Sequence, residues 1–285
     1  MTQVQYLWVL FVLLYALFKG ARDGMKKAAL GKSSADEILF FYTLIGFLFI
    51  LPFSGNAFSL KPIYIFYAFI KAAVVSLGWI FSYAALKKIS VSLYGIMDLS
   101  RILFATAFGV WLLGEAFTLP KAVGLGLVLL GLILVNLRRE KSGGLTALTL
   151  IFTLANCILT AVSETLDKVL MQYMSSSQLQ FWFMLFMVLL YGLILLIRRE
   201  RISLKSLRTN YWIPLMSLSL IVGDRLLFEA NASPQSELTL MTVIKQSSVI
   251  VTILIGYFAF GERRLAYKLL CAGITVSGVL VAVLL

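Results

Sequence analysis

Residues 95–114 read GIMDLSRILFATAFGVWLLG. Twenty residues cross a ~30 Å hydrocarbon core as a helix, and along this length the only ionised groups are Asp98 and Arg101. A soluble protein places such a pair on a wet helix face, but the surrounding residues leave no wet face here. The pair therefore belongs either to a lipid-facing mistake or to the wall of a polar pathway, and the rest of the chain decides between them.

Working outward, the same kind of block recurs along all 285 residues, of which 61% are hydrophobic and only 13% charged. Mean hydropathy is +0.96, whereas an ordinary globular domain is about half apolar and about a quarter charged. The apolar blocks mark spans at about 4–28, 34–54, 62–86, 91–114, 119–137, 144–172, 178–197, 211–232, 237–260 and 265–285. Short connections such as GKSSADE, SGNAFS, RREKSGG and ASPQSE join them, and none is long enough to hold a soluble domain. The expected fold class is an all-α integral membrane protein of ten transmembrane helices. The first block, Val4 to Phe18, runs into Lys19, Arg22, Lys26, Lys27 and Lys32 and has no cleavage signature, so it reads as an uncleaved span.

The net charge of +12 does not point to nucleic acid, because the basic residues cluster between apolar blocks, as in RREK at 138–141 and RRERISLKSLR at 198–208. Such clusters set topology and meet anionic headgroups. Connections 1–2, 3–4, 5–6, 7–8 and 9–10 hold about sixteen Lys and Arg, against Lys61, Lys121 and Lys168 on the other side, and the positive-inside rule then puts both termini outside. Lys19, Lys26 and Lys168 lie nearer span ends and are read as snorkelling to headgroups. Cys157 and Cys271 fall inside apolar blocks and read as small core residues.

The chain repeats internally. Shifted by 147 positions, Gly109, Gly114 and Glu115 fall on Gly256, Gly261 and Glu262, and Lys121, Gly126 and Gly131 on Lys268, Gly273 and Gly278. A shift of 142 aligns Lys26 with Lys168 and Phe41 with Phe183, and the difference fits in the longer 198–210 connection. Two five-helix units follow, 1–141 and 142–285. An odd number of spans in each forces opposite insertion: inverted repeats around a central cavity, with the substrate site near the midplane.

One charge at mid-membrane costs ~2.5–3.5 kcal/mol on insertion scales. Lys71, Asp98, Arg101, Asp224, Arg225, Glu229 and Lys245, left unpaired in lipid, would together cost on the order of 20 kcal/mol, more than the ~5–15 kcal/mol net stability of a typical fold. They must pair or line a cavity. Tyr94, Asp98, Arg101 and Ala105 share one helix face, and in the other repeat Met241, Lys245, Ser248 and Thr252 share its counterpart. Asp98 thus occupies the repeat position of Lys245, and the two are expected to approach near the midplane. Asp224 lines up with Phe228 and Asn231, while Arg225 and Glu229 form an i, i+4 pair. Lys71 stands on a face flanked by Trp79 and Tyr83, whose rings suit a cation or an apolar moiety. Tyr15, Lys19 and Arg22, and Asn156, Thr160 and Ser163 or Glu164, form further polar stripes.

The ten spans, two repeats and terminal Gly-Glu pairs, Gly114-Glu115 and Gly261-Glu262, each followed by a basic residue and a glycine-rich span (GLGLVLLGLILV at 124–135, CAGITVSGVLV at 271–281), resemble the EamA family of the drug/metabolite transporter superfamily over essentially the whole chain. The resemblance implies a helical basket whose cavity is lined mainly by spans 1, 3, 4, 6, 8 and 9. Its members carry amino acids, other small metabolites, sugars or cationic compounds, with both termini usually drawn in the cytoplasm. Many carry a proline in the fourth or ninth span, where Asp98, Arg101 and Lys245 stand here.

The chain has no histidine, hence no His-based triad or metal site, and P-loop and C-x-x-C motifs are missing too. An enzyme, a cofactor and a metal are therefore not expected. The expectation is a secondary transporter in the cell (plasma or inner) membrane, moving a small polar or zwitterionic metabolite such as an amino acid. Asp98, Arg101, Lys245, Ser248, Asp224, Lys71, Trp79 and Tyr83 are the candidate substrate-binding residues, and Asp98, Asp224 and Glu229 the candidate proton carriers. The partners expected are the substrate and the bilayer, with no nucleic acid, and the sequence allows a monomer or a homodimer. The alternatives are a flippase for a lipid-linked headgroup and a non-transporting scaffold subunit.

Overall fold

The structure is a computed structural model that describes residues 7–104, 106–107, 117–137, 146–199, 204–232 and 244–284. Gly109, Gly114, Glu115, the 138–141 cluster and Met241 lie outside the described residues, as do the side chains of Lys168, Phe228 and Asn231. Among the described residues all regular structure is helical. The main elements are α1 (Leu7–Leu30), α2 (Ala35–Ile50), α3 (Pro62–Leu86), α4 (Val91–Asp98), α5 (Leu119–Leu137), α6 (Ala147–Leu170), α7 (Ser176–Arg198), α8 (Trp212–Ala232), α9 (Ser248–Phe260) and α10 (Leu265–Leu284). A 3-10 turn, Leu51–Phe53, follows α2, and a short helix, Leu204–Thr209, precedes α8.

Four helices are long and apolar enough to cross a membrane: Ala35–Phe53, Pro62–Leu86, Ala147–Asp167 and Ser176–Arg198. Leu119–Val135, Ile244–Phe260 and Leu265–Val281 are apolar but shorter. α1 and α8 have the length, yet carry Lys19, Arg22, Asp23, Lys26 and Lys27, or Asp224, Arg225 and Glu229, within it.

Helix ends follow local chemistry. Ser34 caps α2 by accepting from Glu37 N (3.2 Å), with Asp36 and Glu37 in the positive first turn. Ser175 and Gln178 cap α7 reciprocally. At the end of α9, Gly261 takes φ 63° and lets Glu262 N donate back to Gly256 O (3.0 Å), a Schellman closure. That turn points the Glu262 carboxylate at another helix. It accepts from Val91 N (2.7 Å) and Ser92 N (3.3 Å) at the start of α4, and from Lys268 Nζ (2.9 Å). A Cβ at Gly256 would lie 2.4 Å from Ser92 Oγ and 2.8 Å from Glu262 Oε2. The spacing of Gly256, Gly261 and Glu262 in the sequence is thus the geometry of one cross-chain cap.

Packing is symmetric between the first five and the second five helices. α5 lies on α10, α4 on α9 and α2 on α7. α1 packs on α8 as α6 does on α3, α2 on α8 as α7 does on α3, and α1 on α9 as α6 does on α4. Exchanging each helix of the first five with its counterpart leaves these pairings unchanged. The connections also sort by end. Lys27 donates to Leu86 O and to Ile89 O (2.8 Å), Asn210 Nδ2 donates to Ala29 O (3.0 Å), and Arg198 pairs with Asp36. These contacts gather connections 1–2, 3–4 and 7–8 at the end where Glu262 also lies. At the other end Gln178 Nε2 donates to Asn56 O (2.9 Å) and Trp182 Nε1 to Ala57 O (2.8 Å), joining connections 2–3 and 6–7.

Glycines in α5 and α10 let their backbones approach. A Cβ at Gly131 would sit 2.1 Å from Thr275 Oγ1, whereas one at Gly126 meets nothing within 4 Å. Gly131→Ala is therefore expected to lower unfolding stability by ~1–3 kcal/mol in detergent, followed by tryptophan fluorescence. Gly126→Ala, on the same helix, is expected to be neutral or slightly stabilising.

Candidate functional site

The site begins where two helices are interrupted. α4 stops at Asp98, Leu99 and Ser100 form a turn, and the chain is helical again from Arg101 to Phe104. Hydrogen bonds here run from residue i to i−3: Leu99 N to Ile96 O (3.2 Å), Ser100 N to Met97 O (3.0 Å) and Leu103 N to Ser100 O (2.9 Å). A matching turn at Ser247 separates the helical residues 244–246 from α9, with Ser247 N to Ile244 O and Ile250 N to Ser247 O, both 3.0 Å. Ser100 and Ser247 are 147 positions apart, the repeat register. Neither interruption uses a proline. The tightened turn eclipses side chains at i and i+3, and Arg101 Nη1 accordingly lies 3.6 Å from Asp98 Oδ2. Carbonyls loosened by the break find a partner in Cys157, whose thiol approaches Met97 O (3.7 Å) and Asp98 O (3.9 Å) while Ser100 Oγ donates to its sulfur (3.3 Å). The sequence marks Cys157 only as core filler; its position beside the broken helix assigns it this patching role.

Around Asp98 the charges assemble. Lys19 Nζ of α1 lies 3.2 Å from Asp98 Oδ2 and 3.4 Å from Ser248 Oγ, with both ionic side chains nearly buried (13% and 11% exposed). Arg101 also reaches Glu164 Oε1 of α6 (3.8 Å) and donates to Gln246 Oε1 (3.3 Å). Lys71 of α3 pairs with Asp167 Oδ1 (2.6 Å) and donates to Ser163 Oγ (3.0 Å). Lys245 acts electrostatically on Glu164 and Asp167. Beside this network Asn156 Nδ2 donates to Tyr94 Oη (3.3 Å), which shares a 2.6 Å hydrogen bond with Ser82 Oγ. Deeper on α1, Arg22 is buried, contacts Tyr42 and feels the charge of Asp224 on α8. Among the described residues its Nη1 has no hydrogen-bond partner. Lys19, Arg22, Lys71, Arg101 and Lys245 thus face Asp98, Glu164, Asp167 and Asp224, a surplus of one formal positive charge. Glu164 and Asp167 are the open side of the cluster, at 44% and 39% side-chain exposure.

Of the residues expected from sequence, Asp98, Arg101, Lys71, Ser248, Asp224 and Lys245 belong to this cluster. Trp79 and Tyr83 stand apart in the apolar core between α2, α3 and α7, where Trp79 stacks obliquely on Tyr42 (5.2 Å) and the Tyr83 hydroxyl approaches Met216 Sδ (4.0 Å). Glu229 lies 3.9 Å from Arg225 on the outward face of α8. Lys19 corrects the sequence expectation: it does not snorkel but turns inward to Asp98, because α1 continues eleven residues further to Leu30 and leaves Lys19 well inside the helix. Lys26 likewise turns to Asp23 (2.9 Å). Asp167, Gln246 and Asp23 carry no sequence signal beyond being polar within apolar blocks.

Residues 6–137 match the model of the EamA-like transporter family. Among curated proteins none matches the chain. One solved crystal structure is similar over 97% of this chain and 96% of its own, at 14% identity and a TM-score of 0.68, which speaks for a shared fold.

Breaking one partner of a buried ion pair leaves the other charge uncompensated. Asp98→Asn and Lys19→Gln should each destabilise the protein, and the double variant should lose less than their sum by ~0.5–3 kcal/mol. Urea unfolding of the four proteins in one detergent measures that coupling; additive losses would mean the contact is not made.

Proposed function

We propose that this chain, whose residues 6–137 match the model of the EamA-like transporter family, is a secondary transporter of that family, not an enzyme, for a small zwitterionic metabolite of the amino-acid type. The observation that carries the reading is the buried mixed-charge cluster between the halves. α1, α3 and α4 supply Lys19, Arg22, Lys71, Asp98 and Arg101; α6, α8 and the segment before α9 supply Glu164, Asp167, Asp224 and Lys245. A membrane protein keeps so many ionised groups at depth when they line a pathway. With no histidine in the chain, a coupling proton would sit on a carboxylate. In this proposal Asp98 and Asp224 take that role or hold a substrate ammonium, and Arg22, Arg101 and Lys245 hold a carboxylate.

Alternating access follows from two inverted five-helix repeats rocking about the cluster. The exchange-invariant packing and the paired turns at Ser100 and Ser247 support it, and mid-helix turns of this kind serve as hinges. From the cluster toward the end that gathers connections 1–2, 3–4, 7–8 and 9–10, α1 and α4 lie close against α9. A Cβ at Gly20 would lie 2.5 Å from Ser248 O, one at Gly24 2.5 Å from Ile255 Cγ2, and one at Gly95 2.8 Å from Thr252 Cγ2. The Glu262 cap sits at the same end. The positive-inside rule makes that end cytoplasmic in the plasma or inner membrane.

Thermal unfolding of the purified protein against amino acids, amines, sugars, organic acids and nucleosides is the first test. A specific ligand at 100 times its Kd adds ~2.7 kcal/mol to the native state. An amino acid is expected to do so, and Lys245→Gln or Arg22→Gln to abolish the shift and uptake into proteoliposomes, both normalised to folded protein. Full transport in both variants would remove the cluster from the pathway, and a silent panel with folded protein would turn the reading toward lipid-linked cargo.

A further inference from the structure

α8 carries two kinds of polar residue on two faces. Asp224 looks into the central cluster, while Arg225 and Glu229, one turn apart, look the other way. That outer face forms a cavity of about 290 Å³ between the end of α2, the first turn of α7 and the second half of α8. Its walls are Ile50, Phe53, Ile221, Val222 and Leu226, and its polar lining is Ser177, Gln180, Arg225 and Glu229. Arg225 Nη1 donates to Ser177 Oγ (3.0 Å), and the guanidinium lies 6.0 Å over the Phe53 ring. Neither contact, nor the loose 3.9 Å approach of Glu229, exhausts the five donors of an arginine. Gln180 is 6% exposed, and among the described residues its Nε2 has no hydrogen-bond partner. A buried amide donor left unmatched against apolar walls is costly in lipid, so it points to a ligand atom that accepts.

The polar groups are ordered by depth. Along α8 from its middle toward its end come Ile221 and Val222, then Arg225, then Glu229, with about 6 Å of rise between the charged pair. Ser177 and Gln180 stand in the first turns of α7, at the same end. Apolar wall, cation, then anion is the complement, in order, of acyl chain, phosphate and ammonium. We propose that this lateral cavity binds one phospholipid with a primary-amine headgroup, its phosphate held by Arg225 and Gln180, its ammonium by Glu229, and an acyl segment along Ile221 and Val222. A volume at the lower edge of ligand sites (~300–1,000 Å³) suits the headgroup region and part of one chain, with the remainder in the bilayer. The site is separate from the central cluster, so it stands or falls apart from the identity of the cargo.

The test uses the full chain, delipidated in detergent and titrated with phosphatidylethanolamine, phosphatidylcholine or phosphatidylglycerol under native mass spectrometry. One phosphatidylethanolamine per chain should be retained about tenfold more tightly than either other lipid, a 1.4 kcal/mol preference. Glu229→Gln should erase the preference over phosphatidylglycerol, and Arg225→Gln should weaken every phospholipid about tenfold. Ile221→Trp, which fills the cavity without touching a charge, should remove retention while the protein stays monodisperse. Equal retention of all three lipids by the wild type would overturn the proposal. So would a preference that survives both Glu229→Gln and Ile221→Trp, or competition by glycerol 3-phosphate as effective as by the lipid.

Discussion

An ionised group at bilayer depth has to be met by another, and in this chain Asp98 is where the meeting occurs. Its carboxylate takes Lys19 from α1 and Arg101 from the turn beyond its own helix, and Arg101 extends the contact to Glu164 on α6 and Gln246 before α9. Each buried ion carries a desolvation penalty of several kcal/mol even after relaxation, so the four segments are not free to separate independently. Other features follow. The interruption after Asp98 brings Arg101 over the carboxylate, Cys157 covers the carbonyls this loosens, and Gly20 and Gly95 let α1 and α4 come close enough to α9 for the charges to meet.

How much of this was legible beforehand depends on the kind of information. Apolar block length marks the helices, whereas nothing in the sequence marks the turns at Ser100 and Ser247, although they obey the 147-residue register. Spacing within a helix defines a face, and six of the eight substrate-binding residues expected from it lie in the cluster. What spacing cannot name is the partner on another helix. Distance from the end of the apolar block sends Lys19 to the headgroups, whereas distance from the end of α1 leaves it inside the helix. Trp79 and Tyr83 shared a face with Lys71, yet α2 and α7 cover that part of α3 with their own aromatic residues and draw both rings into the core.

The frame is repeated but the chemistry is not. Helices exchange between halves without altering which packs on which, while Asp98 corresponds to Lys245 and, under the 142-residue offset, Arg22 to Glu164. Asp98 is met by Lys19 and Arg101 of its own half, Lys245 acts on Glu164 and Asp167 of its own, and the ion pairs that join the halves are Lys71 with Asp167 and Arg101 with Glu164.

The cap made by Glu262 has a bearing on how the chain is made. Val91 at the start of α4 is answered by a carboxylate 171 residues further along. At ~5–20 residues per second, that carboxylate emerges about 10–30 s after the amide it serves. Throughout that interval the first half holds a helix start whose final acceptor has not been synthesised. The two halves are therefore a single unit in assembly, closed only once Glu262 has left the ribosome.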